Sequence, residues 1–185
     1  MTQSVLILIR HAQSSGQSPD AGLTDLGTQQ AIALADFLMP LGVDGLFSSP
    51  YQRAQATITP FGERAGLPLT IVTDLHERVL SPEPLDDWLD HIARSFDEKS
   101  YKLPGGESLS ETSMRGLNAL RAISKSGGNL PAAASHGNLI ASILNSIDPD
   151  FGFDQWRTMR NPDVFELKLQ DGLPIDYRRM DGFCS

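Results

Sequence analysis

Five consecutive apolar residues, Val5-Leu6-Ile7-Leu8-Ile9, run straight into Arg10-His11. A strand with one wet face alternates apolar and polar side chains. A continuous, β-branched-rich run instead needs both faces covered, as for a central strand of a parallel sheet with helices on each side. That requirement falls on the rest of the chain, which must supply helices for two faces and strands for two flanks.

The pattern supplies both. Ala31, Leu34, Ala35 and Leu38 form a helical stripe behind Thr24, which is placed as an N-cap, and Pro40 and Gly42 stop it. Gly45 to Ser48 reads as a second strand. Ser48-Ser49-Pro50 predicts a second helix with a serine cap and a proline in its first turn, ending at Gly66 and Pro68. Leu69 to Val72 is a third strand. A less regular stretch from Leu75 to Gly106 holds a helix over Pro84 to Phe96. Glu107-Ser108 begins another helix, with Leu109, Leu117, Leu120 and Ile123 on its apolar side. Ala132 to Ser135 is a small-residue strand ending at His136, and Gly137 to Ile147 is helical. Val164 to Leu169 alternates, as a last, less buried strand does. Strands alternating with helices predict an α/β fold, a three-layer α/β/α arrangement with a mostly parallel central sheet flanked by helices. One domain over residues 1–185 is expected, with a small lid at about 79–104.

Composition narrows the partners. Hydrophobic residues make up 40% and charged residues 21%, ordinary globular usage. The net charge of −8 repels nucleic acid and anionic membranes, so neither is expected as a partner. It does not forbid a small anionic substrate, because a few arginines in a dry pocket outweigh a screened, distant field. Cys184 is the one cysteine, which excludes an internal disulfide and a thiol-based zinc site. With no basic n-region, cleavage site or apolar run of ~20 residues, the expectation is a cytoplasmic protein.

Open α/β sheets bind ligands beyond the carboxyl ends of their strands. Two expected strands end in histidine, His11 and His136. A third leads within a few residues to Arg53, and a fourth to Glu77. These four polar groups emerge at one sheet edge, and their chemistry is coherent. Neutral imidazole is a good nucleophile toward phosphorus. Arg10 and Arg53 beside His11 depress its pKa and offer guanidinium forks to phosphoryl oxygens. His136 adds a further bond. Glu77 is placed to protonate a leaving alkoxide and then to activate water, unless it only pairs with Arg78. Positioned charge of this kind dominates phosphoryl transfer, so no metal and no other cofactor is required. His76 and His91 read as surface or lid residues, Ser108 as a helix cap, and Trp88 and Phe96 as lid packing. Asp86, Asp87, Asp90, Asp97 and Glu98 make that lid acidic.

Leu8-Ile9-Arg10-His11-Ala12-Gln13-Ser14 resembles the Arg-His-Gly motif that opens the histidine phosphatase superfamily, which includes the phosphoglycerate mutases. Leu23-Thr24-Asp25-Leu26-Gly27-Thr28-Gln29-Gln30-Ala31 is similar to its Leu-Thr-x-x-Gly-x-x-Gln-Ala segment. Ser48-Ser49-Pro50-Tyr51-Gln52-Arg53-Ala54-Gln55-Ala56-Thr57 is similar to its Ser-Ser-x-x-x-Arg-Ala-x-x-Thr segment. Leu75-His76-Glu77, Pro104-Gly105-Gly106-Glu107-Ser108 and Ser135-His136-Gly137 resemble later blocks, in the family's order, and together they span residues 4 to about 169. The resemblance implies His11 as the phosphorylated residue, Arg10, Arg53 and His136 around the phosphate, and Glu77 as general acid/base. Gln17 falls where many members carry an Asn touching the phosphate. Ala12 departs from the usual Gly.

Within such a family several reactions compete. A phosphomonoesterase passes the phosphoryl group to water, a mutase returns it to a bound sugar acid, and a non-catalytic module only binds phosphate. Mutase members resemble longer chains with a larger insertion after the acid, and phosphohistidine-protein phosphatases tend to lack the Leu-x-Glu. Here only residues 78–106 separate Glu77 from Glu107. The expectation is hydrolysis of a small phosphorylated metabolite, of unread identity, through a phosphohistidine on His11.

Overall fold

The computed structural model describes residues 2–126 and 128–182, so Cys184 lies outside the described residues. Its strands are β1 (Gln3–Arg10), β2 (Gly45–Ser48), β3 (Leu69–Ile71), β4 (Pro131–Ser135), β5 (Asp163–Gln170) and β6 (Leu173–Arg179). Its helices are α1 (Asp25–Leu38), α2 (Gln52–Ala65), α3 (Trp88–Asp97), α4 (Leu109–Lys125), α5 (Gly137–Ile147) and α6 (Phe153–Arg157). The strands form one sheet in the order β3-β2-β4-β1-β5-β6. The first four run parallel, β5 is antiparallel to β1, and β6 is antiparallel to β5.

The β1 run is covered on both faces, as its composition demands. Leu6 and Leu8 join a core with Leu120, Leu139 and Ile143 from α4 and α5. Ile7 and Ile9 join a second core with Leu34, Leu38 and Ile58 from α1 and α2. These four β1 side chains are at most 1% exposed, and burying each contributes roughly 1.5–3 kcal/mol. The alanines of β4 split the same way, Ala133 to one core and Ala132 and Ala134 to the other. Thr24 caps α1 by accepting from Gly27 N, and Ser108 with Glu111 makes a reciprocal capping box on α4.

Three local expectations are corrected. First, α2 begins at Gln52 with Tyr51 as N-cap and no side-chain cap bond. The Ser49 hydroxyl is committed elsewhere, to His136 and to the Tyr51 N–H, which leaves Pro50 outside the helix. Second, the helix over 84–96 is shorter at its start, because Asp86 and Asp87 form a turn before Trp88. Third, Val164 to Leu169 is neither last nor peripheral. It lies within β5, which is paired on both sides and largely buried, and the exposed edge is β6. The hairpin between them turns at Asp171 (φ 53) and Gly172 (φ 80). Two successive positive φ values are what a type I′ turn needs, and Asp-Gly is a favoured pair for it.

The segment carrying α3 leaves and rejoins the body through paired stems. Glu107 N donates to Val79 O at 2.7 Å and Val79 N donates to Glu107 Oε2 at 3.1 Å. A Cβ on Gly106 would run into the Leu80 carbonyl, so the stems close only with glycine there. α3 packs on α6 through Trp88 against Trp156 (6.3 Å between rings) and Phe96 against Phe153 (6.5 Å), so both expected packing residues are in that seam. Among the described residues no helix is long and apolar enough to cross a membrane.

Candidate active site

Because β2, β4 and β1 are parallel neighbours, their carboxyl ends deliver Ser48-Ser49, Ser135-His136 and Arg10-His11 side by side. The ladder continues past the strand ends. His11 N donates to Ser135 O at 3.0 Å and Ser49 N to Ala134 O at 2.9 Å. The His11 and His136 rings therefore meet edge to face with centroids 5.2 Å apart. His136 Nε2 lies 2.7 Å from Ser49 Oγ, while its Nδ1 is buried without a hydrogen-bond partner.

The proton on His11 is located by its partners. Nδ1 is 2.7 Å from the Ala12 carbonyl, which can only accept, so Nδ1 carries the hydrogen. Nε2 then has a free lone pair, and it accepts from Arg53 Nε at 3.2 Å. His11 is 7% exposed, and its pKa is pulled down to about 4. Burial is the main cause. The Ala12 carbonyl opposes it, and the charges of Arg53 and Arg10 add to it. The sequence pointed to the arginines, whereas desolvation does most of the work. His136 is held well below the ordinary histidine range, again by burial first and then by His11 and Arg53. Both rings are neutral at pH 7.

Two guanidinium groups stand beside the histidines. Arg53, 1% exposed on the first turn of α2, also gives Nη1 to the carbonyls of Gln17 (3.0 Å) and Ser18 (2.9 Å). Its guanidinium lies 4.9 Å from the Tyr51 ring centre. Arg10 donates Nη1 to Met159 O at 2.8 Å, and its Nε is buried with no partner. A Cβ on Gly137 would stand 3.2 Å from that Nε, so the Ser-His-Gly block keeps glycine where Arg10 crosses the start of α5. Burial lowers the pKa of both arginines, Glu77 opposes this, and guanidinium stays charged regardless.

The loop after His11 is held by residues from the matched blocks. Ala12 N donates to Thr57 Oγ1 (2.9 Å), which donates onward to Arg53 O (2.7 Å). Gln13 N donates to the buried Gln30 Oε1 (2.9 Å), and Thr24 N donates to Gln13 O (3.1 Å). A Cβ on Gly27 would collide with that same Gln13 carbonyl. Ala12 adopts no positive φ, so the departure from glycine costs the backbone nothing. The Gln17 side chain is exposed, and its link to the site runs through its main-chain carbonyl.

Glu77 comes from beyond β3, through the short 3-10 turn Thr73–Leu75. Its carboxylate accepts from Arg78 N (2.8 Å), Leu139 N (3.2 Å) and Asn138 N (3.3 Å), against the open N–H groups of α5. It does not pair with the Arg78 guanidinium, which turns away to Ser95 Oγ and Glu107 O. His76 is not on the lid. It is half-buried and stacks on Tyr51 (6.4 Å), which in turn meets His136 at 4.9 Å. His91 is on α3, bonded to Tyr101.

Arg10, His11, Arg53 and His136 are thus brought together, with Glu77 close enough to act on both arginines. The residues not anticipated are those that hold them. Ser49, Thr57 and Gln30 lay inside recognisable blocks, and their positions there were the available signal. Asn161, whose Nδ2 donates to His11 O at 2.7 Å, follows no such block. Among the described residues no group of three or more His, Cys, Asp or Glu is placed to hold a metal ion.

A three-layer α/β fold that sets two neutral histidines at its strand ends beside the guanidinium groups of Arg10 and Arg53 offers an imidazole lone pair together with donors suited to an oxyanion. The profile of the histidine phosphatase superfamily (branch 1) matches residues 6–174, and the chain belongs to that superfamily. It is 28% identical over 161 residues, 76% of this chain and 73% of the relative, to a probable phosphoglycerate mutase GpmB of Yersinia pestis (strain Pestoides F). Its fold matches that of a mycobacterial glucosyl-3-phosphoglycerate phosphatase with a TM-score of 0.74, 24% identity and complete coverage of both chains. It also matches a phosphoserine phosphatase mutant from Entamoeba histolytica with a TM-score of 0.75 and 18% identity, over 96% of this chain and 95% of that one. At such identities these structural likenesses speak for the fold.

Proposed function

We propose that the chain, acting as one domain with residues 79–104 as a lid, hydrolyses a small phosphate monoester through a phosphohistidine on His11, without a cofactor. The observation that carries this reading is the buried, neutral His11 whose Nε2 lone pair faces Arg53. A substrate phosphoryl group takes over the Arg53 Nε–H and draws on the unpartnered Arg10 Nε. If the Ser49 hydroxyl donates to His136 Nε2, the ring proton is on Nδ1, free for a phosphoryl oxygen. Gln17, at the rim, is a further candidate contact.

His11 Nε2 then forms a bond to phosphorus as the ester P–O bond breaks, and Glu77 gives its proton to the leaving alkoxide. In the second step Glu77 takes a proton from water, the oxygen attacks phosphorus, and the P–N bond electrons return to His11. Arginine and histidine donors stabilise the charge on the equatorial oxygens in both steps.

A mutase reading rests on the relative named a probable phosphoglycerate mutase. A mutase must keep water from its phosphoenzyme, and the short lid favours hydrolysis instead. Release of para-nitrophenol from para-nitrophenyl phosphate without added metal, abolished by His11→Ala, is the expected result. No release across a panel of phosphate esters contradicts it. Interconversion of 2- and 3-phosphoglycerate in place of hydrolysis selects the mutase.

A further inference from the structure

Two consecutive carbonyls after α6 are taken by two arginines. Thr158 O accepts from Arg179 Nη2 at 3.0 Å, and Met159 O accepts from Arg10 Nη1 at 2.8 Å. Arg179 stands on the edge strand β6, and it is locked in place. Asp163, fully buried, receives its Nε at 2.8 Å and its Nη2 at 2.6 Å. A bidentate fork fixes direction as well as distance. Asp163 also accepts from Arg160 N at 3.0 Å, which ties down the near side of the same turn. In the sheet register Asp163 lies opposite Arg10. Arg10 has no comparable lock. Its Nε is buried and unpartnered, so its aim depends on the Met159 carbonyl.

We propose that Arg179, clamped on Asp163, is a positioning residue that holds the Thr158–Met159 turn so that the Met159 carbonyl aims the Arg10 guanidinium beside His11. The inference rests on Arg10 binding a phosphate group, not on hydrolysis. It gives β6, otherwise an exposed edge strand, a part in the site. The competing role for the pair is only to staple β6 to β5, which lowers stability when lost but leaves a folded pocket unchanged.

The test is a double-mutant cycle read by inorganic phosphate binding, with calorimetry on full-length protein. Arg179→Lys keeps a cation opposite Asp163 but cannot span Asp163 and Thr158 O together. It should weaken phosphate binding about tenfold in the wild-type background and less than about twofold beside Arg10→Ala, as expected of coupled residues. Asp163→Glu, which keeps the charge that also acts on Arg10 but displaces the fork that holds Arg179, should repeat the pattern and serves if Arg179→Lys does not fold. Equal losses in both backgrounds, or a lowered thermal midpoint with unchanged phosphate affinity, overturn the proposal. A wild type that binds no phosphate overturns it together with the hydrolase reading. One that binds phosphate but cleaves no ester sinks the hydrolase reading alone and leaves the cycle interpretable.

Discussion

Arg53 directs its Nε–H at His11 Nε2 across 3.2 Å while its Nη1 holds the carbonyls of Gln17 and Ser18. One side chain therefore guards the lone pair of the proposed nucleophile and fastens the loop beyond it. Lysine offers a point charge without the fork and cannot do both. Arg53→Lys should lower kcat/KM for para-nitrophenyl phosphate by about 10²–10³, the usual loss for a donor to transition-state charge. Steady-state kinetics beside a thermal melt separate this from unfolding.

Gly27 offers a test of how α1 supports the pocket. Replacing an ordinary helical glycine with alanine stabilises by up to about 1 kcal/mol. Here the added methyl would strike the Gln13 carbonyl, which also accepts from Thr24 N. The sign should reverse. Gly27→Ala is expected to lower the thermal midpoint and to weaken phosphate binding, because Gln13 is two residues from His11. Gly22→Ala, where nothing crowds the site, is the control.

Acid should weaken the fold through His11. Its folded-state pKa of about 4 lies below the ordinary 6.5. Between those values the unfolded chain binds a proton that the folded chain refuses. The contribution of neutral His11 is complete above 6.5 and is lost as pH falls toward 4, on the order of 3 kcal/mol in all. His136 acts in the same direction. Chemical denaturation of wild type and His11→Asn from pH 7 to 4 should show the steeper loss in wild type. Because burial is the leading cause, the difference should persist at high salt, where exposed charge interactions fade.

Glu77 should matter in proportion to the difficulty of the leaving group. Glu77→Gln is expected to reduce kcat/KM on alkyl phosphates by about 10²–10⁴ and to spare kcat/KM for para-nitrophenyl phosphate, whose leaving group needs little protonation, while the water step that follows slows for both. Equal losses of kcat/KM on both substrates would point to the helix contact of Glu77 with Asn138 and Leu139 as its main role.

The pocket was legible where chemistry and local pattern coincide. Val5–Ile9 dictated a doubly covered strand, and that strand could only end in Arg10-His11. His136 followed from the alanine strand beside it. The supports were less legible because they act across the sequence. Ser49 has the local setting of a helix cap, but its hydroxyl is bonded to His136, 87 residues away. Asn161 bonds the His11 carbonyl with its side chain, Arg179 bonds the Thr158 carbonyl, and no local pattern announces either. The strand β6 carried a readable Asp171-Gly172 hairpin signal, but its proline, charges and exposed faces obscured the alternation. The depressed His11 pKa was expected in direction but not in leading cause, because burial is a property of the packed fold and neighbouring charges are visible in the sequence.

The central claim is that His11 carries the phosphoryl group between the two steps. Brief incubation with ³²P-labelled ester followed by denaturing quench and peptide mapping tests it directly. One acid-labile, alkali-stable phosphoryl group is expected on the peptide containing His11, absent in His11→Ala. Label on a serine, or turnover with no label trapped even for a rapidly leaving ester, would contradict it.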